Sequence, residues 1–217
     1  MQIDPKIIKK HFQKSLATYP ENAVVQKITA EKIADLVKGK NFNSILEIGS
    51  GAGLLTEQIA NKCKFTKYYA NDLVEKSAGC VRKHIPNSIF IAGDFRNINP
   101  HKKFDLIISN AVFQWFNNPD KVIQKCSDML ETGGNLIFSN FLPDNFKEFK
   151  EVSGISLKYK STEELRQSLE KYTEIITIED FTYVMKFDNP LKILAHLKNT
   201  GVNSLSEKSW GIKEVKN

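Results

Sequence analysis

The sequence predicts an α/β fold in which helices cover both faces of a mostly parallel sheet. Short apolar runs alternate with segments of helical spacing from Asn43 onward, and several runs stop at a glycine, an asparagine or an aspartate. Such alternation is typical of parallel sheets, because their strands are buried on both sides. The predicted strands are residues 44–48, 68–70, 88–92, 104–110 and 135–139.

Two helices are predicted ahead of this sheet. The first covers about residues 5–18 with Asp4 as its N-cap, and the second covers about residues 22–38. We therefore divide the chain into a helical segment, residues 1–40, and a main domain, residues 41–217. The helical segment is either a lid over a ligand site or plain structural cover, since ligands in such folds bind near the carboxyl ends of the strands.

Capping residues mark three later helices. Asn118 and Asn189 are each followed by a proline, and Ser161 has a glutamate three residues later, which completes a capping box. The helix after Asn118 is closed by a pair of glycines that begins at Gly133. Residues 174–187 are rich in β-branched and aromatic side chains, so they predict a further strand.

The composition is that of an ordinary globular protein, with 41% hydrophobic and 26% charged residues among 217. This length suits one domain with a substantial apolar core. No apolar run is long enough to cross a bilayer and the N-terminus has no apolar signal core, so we expect a cytoplasmic protein. The net charge of +6 favours acidic partners without choosing among them.

Cysteine and histidine usage gives no sign of a metal site. The three cysteines, Cys63, Cys80 and Cys126, include no C-x-x-C pair, which favours reduced thiols over a disulfide framework or a zinc site. The four histidines, His11, His84, His101 and His196, stand alone in sequence without an acidic partner. We therefore interpret them as surface or packing residues rather than as catalysts.

The segment from Glu47 to Gly53 is the candidate ligand loop. It reads E-I-G-S-G-A-G between a predicted strand and a helix, where glycines let the backbone approach a ligand closely. Asp72 ends the next strand, where a carboxylate commonly binds ribose hydroxyls. A dinucleotide site would have the spacing G-x-G-x-x-G, but here Leu54 holds the last position. Glu47 would repel a pyrophosphate and attract a cation.

This loop resembles motif I of the class I S-adenosylmethionine-dependent methyltransferases, which are Rossmann-like three-layer sandwiches. Gly93-Asp94-Phe95 is similar to the adenine-binding turn of that family, and residues 130–134 resemble its L-x-P-G-G turn with Thr132 in place of proline. The resemblance implies S-adenosylmethionine as cofactor, S-adenosylhomocysteine as product, and no metal. The implied cofactor-binding residues are Glu47, Gly49, Ser50, Gly51, Gly53, Asp72, Leu73, Asp94, Phe95 and Asn110.

Three further segments resemble one family among these enzymes, the malonyl-acyl-carrier-protein O-methyltransferases of biotin synthesis. They are residues 11–26, 109–115 and 197–203, and the resemblance extends over about residues 5–205. It implies methylation of the free carboxylate of a malonyl thioester that is carried by acyl-carrier protein or by CoA. A carboxylate is already ionised at neutral pH, so this reaction needs alignment and exclusion of water rather than a general base.

The residues placed for this chemistry are Tyr19, Asn110 and Gln114 as catalytic candidates, with Trp115 and Phe12 on the acceptor side. The Tyr19 hydroxyl can donate to a carboxylate. Asn110 follows a strand end, and Gln114 could contact either the methionine part of the cofactor or the acceptor. The helical spacing of Phe12 favours a core role, and Trp115 could equally be a wall of the core.

Lys6, Lys10 and Lys14 form a basic stripe on the first helix, which is a candidate docking surface for an acidic carrier protein. The alternative is a solvated helix face. The family usually has arginine where this chain has Lys14, and lysine would lose the bidentate geometry. We expect a monomer and no nucleic-acid partner, because no RNA-binding appendage is apparent.

The chain departs from the family near its C-terminus. Class I methyltransferases normally add an antiparallel strand between the fifth and sixth strands, and no segment after Phe187 fits it. An incomplete sheet would leave an exposed edge. Three alternatives therefore stay open: a methyltransferase for another small carboxylic acid, a truncated module that binds cofactor or carrier without turnover, and a nicotinamide-linked oxidoreductase.

Overall fold

A computed structural model describes residues 4–154 and 156–201 of the chain. Its strands are β1 (Asn41–Ile48), β2 (Lys64–Asp72), β3 (Ile89–Ala92), β4 (Phe104–Asn110) and β5 (Leu130–Ser139). Its helices are α1 (Pro5–Ser15), α2 (Tyr19–Asn22), α3 (Val24–Asp35), α4 (Leu54–Lys62), α5 (Ser77–His84), α6 (Pro119–Asp128), α7 (Lys147–Ser153), α8 (Thr162–Leu169) and α9 (Pro190–Asn199). Short 3-10 turns lie at Phe95–Asn97 and Phe113–Trp115.

The five strands form one parallel sheet in the order β3-β2-β1-β4-β5, which confirms the predicted α/β fold. Ile45 of β1 pairs with Tyr68 on one side and Leu106 on the other. Because all strands run in the same direction, their carboxyl ends lie along one edge of the sheet. This edge brings together Ile48, Asp72, Ala92, Asn110 and Ser139.

The core has two apolar layers, one on each face of the sheet. Neighbouring residues of β1 point to opposite faces, as the strand period of two requires. Ile45 packs with Ile33 and Ile59 from α3 and α4, whereas Leu46 packs with Ile123 from α6. Helices thus cover both faces, which gives the three-layer sandwich that the resemblance implies.

The helix caps follow the sequence signals. Asp4, Asn118 and Asn189 each accept a hydrogen bond from a backbone N–H of the helix that they precede. Ser161 and Glu164 form both hydrogen bonds of the predicted capping box. Each such cap stabilises its helix by about 1 kcal/mol, because it satisfies a backbone donor that has no partner within the helix.

The helical segment differs from the prediction, because it holds three helices rather than two. α1 ends at Ser15 and α3 ends at Asp35, and the four-residue α2 lies between them. Pro20 explains the break, since proline has no N–H to continue a preceding helix and is tolerated only in a first turn. It stands at the start of α2.

The C-terminal end of α9 packs on this segment. Thr18 Oγ1 donates to the Asn199 carbonyl at 3.0 Å, and Asn199 Nδ2 donates to Asn22 Oδ1 at 3.3 Å. Gly201 has a φ of +72°, and a Cβ at this position would lie 2.7 Å from Ser15 Oγ. The third segment of the resemblance therefore contacts the first. Residues 202 and 203 of that segment lie outside the described residues.

The predicted strand at residues 174–187 is wrong, because this stretch has no strand pairing. Ile176 and Val184 are 83% and 73% exposed. Residues of this stretch and of β5 line a wide cleft of about 1680 Å³. The side chains suit a strand, but a strand also needs a hydrogen-bonding partner, which composition does not supply.

β5 is an edge strand in the part of the chain that the structure describes, where its only partner is β4. No strand follows Ser139 in residues 140–154 and 156–201, in agreement with the expected lack of a further strand there. Residues 202–217 lie outside the described residues. None of the described helices is long and apolar enough to span a membrane.

Candidate active site

The glycine loop begins where β1 ends and is anchored to β2. The backbone N–H groups of Gly49 and Ser50 both donate to the Asn71 carbonyl, at 2.8 and 3.0 Å. Gly49 has a φ of +72°, and a Cβ there would lie 2.3 Å from Val112 Cγ2. Only glycine fits this close approach. Gly53 then forms the N-cap of α4.

Asp72 ends β2 with its carboxylate held by the backbone. Oδ2 accepts from Gly51 N–H and Oδ1 accepts from Val74 N–H, both at 2.7 Å. Burial raises the pKa of Asp72, and these two hydrogen bonds oppose that rise. Each carboxylate oxygen has a second lone pair, so Asp72 can still accept hydroxyl donors from a ligand.

Glu47 is a second carboxylate beneath the loop and is only 1% exposed. Thr56 Oγ1 and Tyr68 Oη both donate to its Oε2, at 2.6 and 2.7 Å. Burial raises the pKa of Glu47 to about 7, and the neighbouring Asp72 carboxylate adds to the rise. A cation bound near these two acids would favour their ionised forms.

The turn after β3 carries Asp94 and Phe95. Asp94 Oδ1 accepts from the Arg96 N–H at 2.9 Å, and the Arg96 guanidinium forms an ion pair with the same carboxylate. The hydrogen bonds from Arg96 lower the pKa of Asp94, so the carboxylate is held ionised. Phe95 is 2% exposed and packs under the turn.

One cavity at the carboxyl edge of the sheet joins these groups. Its floor contains Glu47, Gly49, Ser50, Gly51, Asp72, Leu73, Asp94, Phe95 and Asn110. α1 and the start of α2 lie over it with Pro5, Ile8, Lys9, Phe12, Leu16 and Tyr19. The cavity is thus enclosed between the sheet edge and the helical segment.

An aromatic cluster forms one wall of the cavity. The Phe12 ring lies 6.1 Å from that of Tyr19 and 5.5 Å from that of Trp115, edge to face in the second case. Burial and the nearby Asp72 carboxylate raise the pKa of Tyr19. The Tyr19 hydroxyl therefore stays protonated at neutral pH and keeps its ability to donate a hydrogen bond.

The Asn110 side chain ties α3 to the sheet edge. Its Oδ1 accepts from Thr29 Oγ1 and from Ser139 Oγ, both at 2.6 Å, and its Nδ2 donates to the Gln26 carbonyl at 2.8 Å. Ala111 follows in the left-handed region with a φ of +56° and donates its N–H to Ser139 Oγ. Asn110 lines the cavity while it supports a strained backbone turn.

Comparison with known proteins gives the family. A family model described as a methyltransferase domain matches residues 46–138. A malonyl-[acyl-carrier protein] O-methyltransferase of Calditerrivibrio nitroreducens is 34% identical over 96% of this chain and 84% of its own length. The same enzyme of Haemophilus influenzae is 34% identical over 98% of this chain and 84% of its own length. The chain belongs to the class I S-adenosylmethionine-dependent methyltransferases.

A solved structure of this class agrees with the fold of the methyltransferase. The N-methyltransferase NodS of Bradyrhizobium japonicum WM9, in complex with S-adenosyl-L-homocysteine, matches with a TM-score of 0.59. The two chains are 17% identical, and the match covers 76% of this chain and 85% of NodS. At that identity the likeness shows the shared fold alone.

Gln114 of the methyltransferase faces a different space from most of the predicted site residues. It lines the wide cleft beside β5 rather than the cavity under α1. Its Nε2 donates to the Ala111 carbonyl at 2.7 Å, which settles the orientation of the amide because a carbonyl can only accept. Among the described residues no donor meets the buried Oε1. Trp115 lines both spaces.

The predicted lysine stripe lies outside the cavity. Lys6, Lys10 and Lys14 are exposed, and none of them lines the enclosed site of the methyltransferase. Lys9 from the same helix does line it, as does Arg96. Sequence analysis missed both residues, because a charged side chain at one helical position or in one turn has no local signal that gives its direction.

The described residues support the expected lack of a metal site. They contain no cluster of three or more histidine, cysteine or acidic side chains that could hold a metal ion. Cys63, Cys80 and Cys126 are free thiols. Burial raises the pKa of Cys63 to about 11, which keeps its thiol protonated and unreactive.

Proposed function

We propose that this methyltransferase methylates the free carboxylate of a malonyl thioester carried by acyl-carrier protein or by CoA, as a step of biotin synthesis. The observation that carries the proposal is the buried Tyr19 hydroxyl, which lines the cofactor cavity beside an aromatic wall. A protonated hydroxyl in such a place can bind and orient an anionic acceptor. The names of the relatives support the same acceptor.

The cavity residues fit S-adenosylmethionine, which supplies an electrophilic methyl group when bound. Glu47 and Asp72 place two carboxylates where the ligand offers cations and ribose hydroxyls. The positive φ and tight packing of Gly49 bring the loop backbone close to the same space. Asp94 is held ionised and can accept from the adenine amino group. Gly51, Ser50 and the remaining floor residues shape the pocket.

The acceptor side of the cavity depends on the helical segment. Phe12, Tyr19 and Trp115 form an apolar wall that excludes water around the reacting groups. Methyl transfer from a sulfonium to a carboxylate removes two opposite charges, so a dry surrounding favours it. Residues 1–40 accordingly act as a lid rather than as plain cover. Asn110 acts by holding the strand-end turn, through its bonds to α3 and β5.

A methyl-transfer assay tests the proposal. The acceptors are malonyl-acyl-carrier protein, malonyl-CoA and free malonate, and we expect the thioesters to react with a higher kcat/KM than malonate. Tyr19→Phe should lower kcat/KM by about 10- to 100-fold, the range for losing a hydrogen bond to a charged group. Tyr183→Phe, at a residue that is 47% exposed, is the matched control and should leave the rate unchanged. Equal rates with malonate and the thioesters would contradict the assignment.

A further inference from the structure

Lys125 of α6 spends its charge on backbone carbonyls of the turn after β3. Its Nζ donates to the carbonyls of Phe95, Arg96 and Ile98, at 2.8, 3.1 and 2.5 Å. An ammonium has three N–H donors, so these contacts use all of them. The same Nζ lies 4.9 Å from the centroid of the Phe95 ring, within range of a cation–π contact.

The turn at residues 94–98 needs such a partner. A 3-10 turn of three residues makes few internal hydrogen bonds and leaves its last carbonyls without intrahelical donors. Asp94 caps its amino end through the Arg96 N–H. Lys125 supplies the corresponding contacts at the carboxyl end, where a cation is favoured. One side chain thus holds both the ring and the backbone of the turn.

We propose that Lys125 is a positioning residue for the adenine end of the cofactor site. It holds the turn so that the Asp94 carboxylate and the Phe95 backbone stay at the cavity wall, where both line the site. This inference rests on the proposed position of the cofactor and is independent of the methyl acceptor. Lys125 itself does not line the cavity, so it acts through Asp94 and Phe95.

The order of the turn sets the affinity of the site. A turn that is already in its binding conformation loses less conformational entropy when a ligand binds. Without the ammonium, three carbonyls must find other donors and the turn samples more conformations. Binding of the adenosine part should then weaken, whereas the chemistry at the far end of the cavity keeps its rate once the site is saturated.

Lys125→Met tests the inference, because it keeps an unbranched apolar stem and removes the ammonium. Lys121→Met is the matched control, since Lys121 is an exposed residue one turn earlier on α6. The probes are S-adenosylhomocysteine and adenosine, titrated calorimetrically. We expect Lys125→Met to weaken both by about 10-fold, to raise the cofactor KM similarly and to leave kcat within about twofold. Lys125→Arg should recover part of the affinity.

Hydrogen exchange of the peptide that contains residues 94–98 gives a second measurement on the unliganded protein. We expect faster exchange in Lys125→Met than in Lys121→Met, which also covers the case in which the first variant is too unstable to titrate. Equal affinity and equal exchange in the two variants would overturn the inference. Wild-type protein that binds S-adenosylhomocysteine but methylates no malonyl thioester would refute the proposed acceptor and leave the role of Lys125 standing.

Discussion

Replacement of Glu47 by glutamine tests the electrostatics of the site without any substrate. The folded protein raises the pKa of this carboxyl to about 7 from an ordinary value of 4.5, mainly by burial. The folded state therefore binds the proton more tightly than the unfolded state. The stability that Glu47 contributes is fully present below about pH 4.5 and is lost as the pH rises through 7.

The expected size of this effect follows from the two pKa values. Between pH 5 and pH 8 the wild-type protein should lose about 2.5 kcal/mol of unfolding free energy at this one site. Glu47→Gln has no proton to lose, and its amide oxygen can still accept from Thr56 and Tyr68. The variant should therefore gain stability relative to wild type as the pH rises.

Urea unfolding at pH 5 and pH 8 measures the effect. The unfolding free energy of Glu47→Gln minus that of the wild type should rise by about 2.5 kcal/mol between the two pH values. The same substitution at the exposed Glu57 is the control and should show little change. A difference for Glu47→Gln that stays constant within about 0.5 kcal/mol would refute the reasoning, since that is the size of ordinary surface effects.

Cofactor affinity should follow the same titration in the opposite sense. S-adenosylmethionine carries positive charge, so it binds the ionised Glu47 more tightly than the neutral acid. Its affinity for the wild-type protein should rise as the pH passes from 6 to 8. Calorimetry with Glu47→Gln should show that this part of the pH dependence is gone.

Two further variants probe the floor and the cover of the cavity. Asp72→Asn should weaken S-adenosylhomocysteine binding by at least about 10-fold in calorimetry, because an amide turns an NH₂ group toward one of the two backbone N–H donors that the carboxylate now accepts; unchanged binding would exclude the ribose role. Gly201→Ala places a Cβ 2.7 Å from Ser15 Oγ and should raise the acceptor KM and the hydrogen exchange of α1. Gly39→Ala is its control, because Gly39 has a similar φ of +75° with no atom within 4 Å of the added Cβ. Equal behaviour of these two glycine variants would mean that α9 does not position the helical segment.

The sequence by itself determined the features that are local in the chain. Strand and helix order, the caps at Asn118 and Ser161, and the loop that begins at Glu47 could all be predicted, because each depends on residues within a few positions of one another. Asp72 and Asp94 could be placed near that loop as well. Parallel strands bring their carboxyl ends to one edge, so position along the chain was enough to group these residues.

Only the tertiary structure decided how distant side chains meet. Asn110 is used by Thr29, which precedes it by 81 residues, and Lys125 holds the carbonyl of Phe95, which precedes it by 30. The stretch 174–187 has strand-forming side chains but no partner. In each case the local pattern is compatible with several contacts, and the packing of other elements selects one of them. Propensity acts over a few residues, whereas pairing and hydrogen bonding act across the fold.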